Sequence, residues 1–459
     1  MRFILDLLYI ITGLLYSPVV IYRTIRHNRY RTGWGQRFGK ITRDNHEKKC
    51  IWIHAVSVGE VNAAKTIVKE LHKRFGNYDI VISTTTDTGQ ARANTLFANE
   101  HKVIYFPYDF SWVIRKAFKN INPVICLLME LEVWPNFVNT AKKFDIPVVI
   151  VNGRISDKSF SRYGKIKPLV KSVFAKIDLV LAQTDEYANR FRQIGVPQKN
   201  VVVTGSLKYD TAQITDKVEG SDILAEQLNK VGCAVHTNSK NGVHSTPCLW
   251  IAGATGPGEE EIILEVFKQL TMNKADLQLV IVPRKPERFD EVAQLIANAG
   301  YECLRYSNIK ASSNDCAARN VPRNTNDETS RETDNRKTSV LLGDTMGDLR
   351  KFYSLAAIIF VGRSLVPMGG SDMMEAAALG KCTMFGPHTF NFKQTVDALL
   401  ENDGAILVKD KYELLIAMQK CLNNPVYSQK IAKNGQQVIK NNQGATKKAV
   451  EQISIYLSR

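Results

Sequence analysis

Several side chains that could catalyse a group transfer stand directly after apolar segments of this sequence. Glu60 ends the segment HAVSVGE, Glu130 and Glu132 follow PVICLLM, and Lys208 lies in TGSLKYD. A carboxylate can accept a proton from an attacking hydroxyl, and an ammonium can face developing negative charge. Each residue also has a plainer interpretation when it is taken alone. A glutamate at a helix start, a carboxylate pair in a loop and a surface lysine are all common.

A second group of residues is suited to an anionic ligand such as a phosphate. Arg284 follows the apolar run LQLVIVP, and the glycine-containing segment GDTMGDL at 343–349 precedes a predicted helix. Guanidinium groups and backbone N–H groups at such places can bind phosphate oxygens. Further along, a glycine pair precedes a helix that carries Asp372 and Glu375 in its first turn. Those carboxylates could accept hydrogen bonds from ribose hydroxyls or cap their own helix.

The sequence lacks the motifs of several other enzyme classes. The segment GATGPGEE at 253–260 follows a strand, but its glycines do not have the G-x-G-x-x-G order, which disfavours a dehydrogenase. No H-E-x-x-H, G-x-S-x-G or Walker lysine occurs. The eight cysteines are scattered, with no C-x-x-C pair, and this indicates reduced thiols in a cytosolic body.

The elements that must position these residues alternate between strands and helices. After the apolar run CIWIHAV at 50–56, residues 61–75 have helical periodicity with one apolar face. The pattern continues through DIVIST, PVICLLM, PVVIVN and DLVLAQ, and a second series begins with CLWIAGA at 248–254. This alternation predicts an α/β protein with two doubly wound, Rossmann-like parallel-sheet domains facing a cleft. Ligands bind at the carboxyl ends of the strands in such domains.

The predicted domain boundaries follow from changes in composition. At 459 residues the chain is long enough for two or three units of about 150 residues each. We predict an N-terminal segment at 1–24, a first domain at 25–211, a linker at 212–247, a second domain at 248–440 and a C-terminal helix at 441–459. Residues 311–339 have almost no large apolar side chain and predict a disordered insert in the second domain.

The first residues of the chain predict a membrane anchor. The run from Phe3 to Tyr22 has the length of a helix that crosses the hydrocarbon layer, and arginines follow it, so the body is expected on the cytoplasmic face. A cleaved signal is disfavoured because the charge asymmetry is reversed and no cleavage pattern follows. Spanning and interfacial arrangements both stay open, since Asp6, Gly13 and Pro18 weaken a full span.

The charge balance favours an anionic partner. The chain has 61 Lys and Arg against 45 Asp and Glu, a formal net charge of +16. Such a balance suits an anionic membrane surface, a phosphorylated substrate or a nucleic acid. No motif that combines aromatic and basic residues supports the last of these, so we predict no nucleic-acid partner.

Taken in order, the motifs of this chain resemble those of the transferases that add Kdo (3-deoxy-D-manno-octulosonic acid) in lipopolysaccharide assembly. The resemblance reaches about Lys393 and is carried by HAVSVGE, STTTDTGQARA, YFPYD, MELEVWPN, NGRIS, TGSLKYD, VPRKPERF, GDTMGDL and GPHTFNFK. It implies a GT-B fold of the glycosyltransferase family 30 type at the inner membrane. The implied reaction is inverting, uses no metal or cofactor, and moves Kdo from CMP-Kdo onto a lipid A precursor, lipid IVA.

The resemblance also implies roles for individual residues. Glu60 would be the general base, and Glu130 and Lys208 would stabilise the transition state. The first domain would bind the acceptor and the second the donor. The implied CMP site consists of Pro283, Arg284, Met346, Gly347, Asp348, Asp372, Met373, Met374 and Glu375.

Around the implied donor site the sequence departs from the pattern of the family. Members often have G-G-H-N where this chain has G-G-S-D ending at Asp372, histidine where it has Gly256, and glycine where it has Arg363. The motif W-G-Q-R at 34–37 stands where W-G-E-R is usual. An extra carboxylate near an anionic donor is unfavourable unless Arg363 or a lysine offsets it. An alternative function is therefore a catalytically weakened relative that binds lipid or nucleotide.

The position of Glu60 sets a condition on its surroundings. A helix dipole stabilises the ionised form of a carboxylate at the start of the helix and so lowers its basicity. For Glu60 to act as a base, burial or a neighbouring carboxylate must raise its pKa.

Overall fold

The computed structural model describes residues 2–27, 32–43, 45–215, 217–230, 248–318 and 338–458. The chain divides into two compact units, which we call the first unit (Met1–Thr211 with Asn442–Arg459) and the second unit (Ala212–Asn441). Each contains a parallel sheet of seven strands within the described residues. The prediction of two parallel-sheet α/β domains is thus confirmed.

The sheet of the first unit has the strand order β3-β2-β1-β4-β5-β6-β7. Its inner strands are rich in β-branched and aliphatic residues and are buried on both faces, as parallel strands covered by helices must be. Alternate side chains of each strand therefore enter two separate cores, with Trp52 in one and Ile51 and Ile53 in the other. The strands are β1 Cys50–His54, β2 Asp79–Thr84, β3 Lys102–Tyr105, β4 Ile125–Met129, β5 Val148–Gly153, β6 Leu179–Ala182 and β7 Val201–Val203.

The helices of the first unit cover both faces of this sheet. They are α1 Arg2–His27, α2 Trp34–Arg37, α3 Val58–Arg74, α4 Asp87–Phe97, α5 Ser111–Ile121, α6 Pro135–Lys143, α7 Asp157–Lys165, α8 Lys167–Phe174, α9 Asp185–Gln193 and α10 Leu207–Thr211, with a 3₁₀ turn at Gln198–Asn200. The apolar face predicted for α3 is confirmed, because Val61, Ala64, Ile67, Val68 and Leu71 are all buried. Glu60 lies in the first turn of this helix.

The predicted N-terminal segment is helical, and α1 runs through it as far as His27. Within the ranges that the structure describes, we find no helix whose length and apolarity suffice for crossing a membrane.

The sheet of the second unit has the order β10-β11-β9-β8-β12-β13-β14. Its central strand, β8, pairs with β9 on one side and β12 on the other. Apolar side chains from these strands form a core with the helices that cover one face. The strands are β8 Cys248–Thr255, β9 Leu277–Pro283, β10 Glu302–Arg305, β11 Ser339–Leu342, β12 Ile358–Val361, β13 Cys382–Phe385 and β14 Ile406–Leu407.

The helices of the second unit include one in the predicted linker and one that leads into the predicted insert. They are α11 Ser221–Lys230, α12 Glu259–Thr271, α13 Phe289–Asn298, α14 Tyr306–Ala318, α15 Leu349–Leu355, α16 Met374–Ala378, α17 Lys393–Glu401, α18 Lys411–Asn423 and α19 Pro425–Asn442, with a 3₁₀ turn at Pro286–Arg288. Of the predicted insert, 311–318 continue α14 and 319–337 lie outside the described residues, as do 231–247 of the predicted linker. The chain ends in α20, Ala445–Leu457, which belongs to the first unit.

Candidate functional site

The carboxylates that the sequence singled out gather where the strand order of the first sheet reverses. In this sheet β1 lies between β2 and β4, so the loops that follow β1 and β4 leave side by side at the carboxyl edge. Such a switch point leaves a crevice in which α/β proteins bind ligands. Glu60 follows β1, and Glu130 and Glu132 follow β4.

Glu60 is held at the start of α3 by reciprocal capping bonds. Ser57 is the N-cap, and its hydroxyl oxygen accepts a bond from the Glu60 N–H at 3.4 Å. In return, the Glu60 carboxylate accepts bonds from the Ser57 hydroxyl at 2.8 Å and from the Val56 N–H at 2.9 Å. This arrangement, a variant of the capping box, gives the Glu60 N–H a partner that the first helical turn does not supply, and it fixes the direction of the carboxylate.

The surroundings of Glu60 meet the condition set by its position. Its side chain is buried, with 8% of the residue exposed. Burial raises the pKa of Glu60 above 4.5 and the charge of Glu130 adds to this, whereas the bonds from Val56 and Ser57 act in the opposite direction. The net result is a carboxylate that is more basic than an ordinary glutamate.

Glu130 and Glu132 line the turn that leaves β4. Glu130 has a positive φ of 54°, a backbone conformation that costs free energy for a residue other than glycine, and its N–H donates to the Val151 carbonyl at 2.9 Å. Burial raises the pKa of Glu132 to about 7, and the charge of Glu60 contributes to the rise. Three carboxylates thus repel one another at this edge.

A cavity of about 650 Å³ opens beside these carboxylates in the first unit. Glu130 and Glu132 line one part of it, and Arg154, which follows β5, lines another. Arg154 makes no hydrogen bond or ion pair within the described part of the chain, so its guanidinium is available to a ligand. Glu60 does not line the cavity, but its charge interacts with both glutamates that do.

The N-terminal helix forms part of the cavity wall through Tyr9. The Tyr9 hydroxyl donates to Asp109 Oδ2 at 3.1 Å. One turn earlier, Asp6 Oδ1 accepts bonds from the Ser111 N–H at 2.9 Å and from Asn136 Nδ2 at 3.0 Å. The one charged residue in the predicted anchor run therefore attaches α1 to the amino ends of α5 and α6.

Lys208 lies in α10, a short helix that packs against α3. The Leu207 N–H donates to Asn152 Oδ1 at 3.0 Å, which ties the start of α10 to the end of β5. Asn152 has a positive φ of 58°. No described residue forms a hydrogen bond or ion pair with the Lys208 ammonium.

Two of the residues predicted for CMP stand at the carboxyl edge of the second sheet. Pro283 is the last residue of β9 and is buried, whereas Arg284 is exposed. The Arg284 N–H donates to the Thr255 carbonyl at the end of β8, at 3.1 Å. The guanidinium is therefore anchored by its backbone at the edge where a ligand would bind.

The loop before α15 contains Met346, Gly347 and Asp348. Met346 is 65% exposed, and Gly347 has a φ of 88° that suits glycine. The Asp348 carboxylate is buried and binds Lys310 at 3.0 Å and Lys351 at 2.8 Å. Burial acts to raise the pKa of Asp348, but the bonds from these lysines and from a threonine lower it overall. Asp348 thus holds the loop in place rather than facing outward as a free charge.

The last group of predicted CMP residues is Asp372, Met373, Met374 and Glu375. Asp372 precedes α16 instead of lying in its first turn, and its Oδ1 accepts a bond from the Met374 N–H at 2.9 Å. Both methionines are buried. Burial raises the pKa of Glu375 and the charge of Asp372 adds to it, whereas Arg350 and Arg284 oppose the rise. Arg284 and Glu375, 91 positions apart in the sequence, are therefore neighbours in the second unit.

The prediction from sequence missed two buried acids that support this edge. Glu260 is fully buried, and it accepts two bonds from Arg288, at 2.7 and 3.2 Å, and one from Thr255. Glu259 is also fully buried and accepts four backbone N–H bonds, from Gly256 and from residues 363–365. The sequence shows only three consecutive glutamates at a helix start, which usually indicate exposed charge.

His72, Glu100 and His101 have ligand atoms close enough to one another to share a metal ion. His72 lies near the end of α3, twelve residues after Glu60, which corresponds to about 18 Å along a helix. The group is therefore at the opposite edge of the sheet from the carboxylates.

Comparison with known proteins identifies close relatives of this chain. A family model described as 3-deoxy-D-manno-octulosonic-acid transferase (kdotransferase) matches residues 32–211. The 3-deoxy-D-manno-octulosonic acid transferase of Haemophilus influenzae is 31% identical over 438 residues, which cover 95% of this chain and 94% of the relative. That of Bordetella pertussis is 30% identical over 415 residues, covering 89% and 87%.

Solved structures share the fold over nearly the whole chain. A glycosyltransferase from Rickettsia africae superposes with a TM-score of 0.54 and 14% identity, covering 90% of this chain and 99% of that one. At this identity the similarity concerns the fold alone, namely two parallel-sheet α/β domains, which these GT-B-like neighbours also have.

Proposed function

The chain belongs to the family of 3-deoxy-D-manno-octulosonic acid transferases, which are glycosyltransferases, and we propose that it transfers Kdo from CMP-Kdo to the lipid A precursor lipid IVA. CMP would leave, and the configuration at the anomeric carbon would be inverted. The observation that carries the proposal is Glu60, a buried and oriented carboxylate with a raised pKa at the carboxyl edge of a parallel sheet, where α/β proteins generally bind ligands.

In the proposed reaction Glu60 takes the proton of the acceptor hydroxyl. The hydroxyl oxygen forms its bond to the anomeric carbon as the bond from that carbon to the phosphate oxygen breaks, and the phosphate keeps the electron pair. A single displacement of this kind inverts the carbon. Val56 and Ser57 hold one lone pair of each Glu60 oxygen, so the carboxylate can turn another toward the acceptor without losing its orientation.

Glu130 and Lys208 have charges opposite to those that develop in the transition state, positive on the sugar and negative on the leaving phosphate. The sugar passes through an oxocarbenium-like state, and the negative Glu130 at the cavity wall would stabilise its positive charge. The Lys208 ammonium would face the negative charge of the leaving phosphate. The backbone strain at Glu130 supports this assignment, because strained residues cluster at functional sites.

For the donor we propose the carboxyl edge of the second sheet. Arg284 and the backbone N–H groups of the Met346–Asp348 loop would bind the CMP phosphate, which requires no metal ion for charge neutralisation. Glu375 would accept a hydrogen bond from a ribose hydroxyl, while Asp372 is engaged with the start of α16.

For the acceptor we propose the cavity of the first unit. The precursor is a phosphorylated glycolipid, and the Arg154 guanidinium can bind one of its phosphates while Glu130 and Glu132 stand near the reacting hydroxyl. In this cavity the acceptor would lie near Glu60, because Glu60 interacts electrostatically with both glutamates that line the cavity.

We further propose that the protein contacts the cytoplasmic face of the inner membrane through α1 and an adjoining row of aromatic side chains. In α1, Leu14 and Leu15 are 69% and 78% exposed. In the row, Trp34 stacks on Phe38 with ring centroids 6.1 Å apart, and Phe38 on Trp112 at 6.2 Å. Exposed aromatic rings favour the membrane interface, and the positive net charge favours anionic lipids.

The proposed function is tested by incubating the purified full chain with CMP-Kdo and lipid IVA and measuring CMP release and the mass of the lipid. We expect the lipid to gain Kdo, and Glu60→Gln to lower the rate by about 10²- to 10⁴-fold while CMP still binds. Glu70→Gln, the same change farther along α3, should keep full activity.

The outcomes of this experiment separate the alternatives. Absence of both products would contradict the transferase and favour the relative that only binds lipid or nucleotide. Full activity of Glu60→Gln would leave the transferase but remove Glu60 from the role of base.

A further inference from the structure

The loop that follows β12 lies at the switch point of the second sheet, because β8 stands between β9 and β12. Its first side chain belongs to Arg363, which has a positive φ of 60°. The Arg363 N–H donates to Glu259, and the Arg363 carbonyl accepts a bond from the Gly370 N–H at 2.7 Å. These bonds hold a conformation that is unfavourable for any residue with a side chain, and such residues are frequent at ligand sites.

The Arg363 side chain lies over Gly256, at the end of β8. A Cβ atom at Gly256 would be 3.1 Å from Arg363 Cγ and 2.8 Å from Met368 Sδ. Any larger residue at 256 would therefore compete with the arginine for the same space. The absence of a side chain at 256 and the presence of one at 363 are thus complementary.

The Arg363 guanidinium is poorly satisfied by the protein itself. Its Nη2 donates to the Met368 carbonyl at 3.3 Å, which is a long bond, and its Nε is buried with no partner among the residues that the structure describes. A buried donor without an acceptor is costly, and guanidinium groups normally use their planar fork on carboxylates or phosphates. The guanidinium therefore has donors available for an anionic ligand at this edge.

We propose that Arg363 binds the carboxylate of the sugar that is being transferred. This inference rests on the proposed function, in which the donor has two anionic groups, a phosphate and a sugar carboxylate. In a 2-keto sugar acid both are attached to the anomeric carbon. Arg284 follows β9 on one side of β8, and Arg363 follows β12 on the other, so two guanidinium groups flank the central strand. One would hold the phosphate and the other the carboxylate, which would fix the anomeric carbon between them.

The test compares the binding of CMP-Kdo and of CMP by calorimetry in the full chain, since CMP lacks the sugar carboxylate. The variant is Arg363→Gly, because glycine adopts the positive φ without strain. We expect CMP-Kdo to bind about 10- to 100-fold more weakly, the loss typical of a charge-assisted hydrogen bond, and CMP to bind within about threefold of the wild type. Arg363→Lys should give an intermediate loss, because lysine keeps the charge but not the fork.

A matched control separates the charge from the backbone. Asp403 also has a positive φ, of 49°, and lies after α17 away from the switch point, so Asp403→Gly removes the same kind of strain without touching the loop. It should leave both affinities unchanged.

Two results would overturn the inference. Equal weakening of CMP and CMP-Kdo by Arg363→Gly would show that the arginine binds the phosphate or only supports the loop, and unchanged affinity for both would show that it binds neither. Calorimetry needs no turnover, so a wild type that binds CMP-Kdo without transferring Kdo would contradict the proposed function and leave this comparison valid.

Discussion

Replacement of Glu132 by glutamine should stabilise the first unit at pH 8 and have little effect at pH 5. The carboxylate of Glu132 is largely buried beside Glu60, and these surroundings raise its pKa from 4.5 to about 7. Glutamine keeps the shape and the capacity to accept a hydrogen bond but has no charge.

The sign and size of the effect follow from the two pKa values. The folded state holds the proton more tightly than the unfolded state, so the contribution of this group is fully present below pH 4.5 and is lost as the pH rises to about 7. A pKa difference of about 2.5 corresponds to about 3 kcal/mol. Because Glu132 lines an open cavity where solvent screens its charge, we expect a gain of about 1–2 kcal/mol for Glu132→Gln at pH 8.

Urea denaturation followed by tryptophan fluorescence measures this gain. Four of the five tryptophans, Trp34, Trp52, Trp112 and Trp134, belong to the first unit, so the signal reports mainly on it. The control is Glu70→Gln, which removes a carboxylate from α3 at a place remote from the cluster and should change stability equally at both pH values.

The reasoning would be refuted by a gain from Glu132→Gln that is the same at pH 5 and pH 8, because packing and not charge would then be responsible. A double-mutant cycle with Glu60→Gln adds a second check. Without the charge of Glu60 the pKa of Glu132 should be lower, so Glu132→Gln should stabilise the Glu60→Gln protein less than it stabilises the wild type at pH 8. A gain of undiminished size would show that the two carboxylates do not interact.

Two further predictions concern the bonds that hold the site. Ser57→Ala removes the helix cap and should destabilise the first unit by about 1 kcal/mol. It also removes a hydrogen bond to the ionised carboxylate of Glu60 and should therefore raise the pKa of Glu60 further. The acidic limb of the profile of kcat/KM against pH should then move to higher pH. Thr184→Ala removes a comparable cap from α9 and should leave that limb unmoved, whereas a shift in both variants would contradict the assignment. Asp6→Ala should speed deuterium exchange in α1 by about 10- to 100-fold, since partly buried hydrogen bonds to a charged group are lost. Thr12→Ala changes an exposed residue of the same helix and should not speed the exchange. If the amide hydrogens of α1 were equally protected from exchange in both variants, Asp6 would not attach α1.

The sequence alone determined the alternation of strands and helices in both units and the position of Glu60, the proposed base. Apolar runs of strand length alternating with helical periodicity are local signals, and they predicted the parallel sheets, the buried face of α3 and a glutamate at its first turn. The edge strands β3, β10 and β14 were not predicted. They have only four, four and two residues and are partly exposed, so neither length nor hydrophobicity distinguishes them from loops.

Only the tertiary structure decided the chemical surroundings of these residues. Tyr9 contacts Asp109, which is 100 positions away, and α1 thereby becomes a wall of the cavity. Likewise, Arg363 fills the space above Gly256 because β8 and β12 are neighbours in the sheet. Which strands are adjacent is a property of the whole sheet, and no local pattern encodes it. The pKa of Glu60 depends on its burial and on the charge of Glu130, which lies on a neighbouring strand's loop. The sequence therefore indicated that the pKa must be raised for Glu60 to act as a base, but only the tertiary structure shows the burial and the neighbouring charge that raise it.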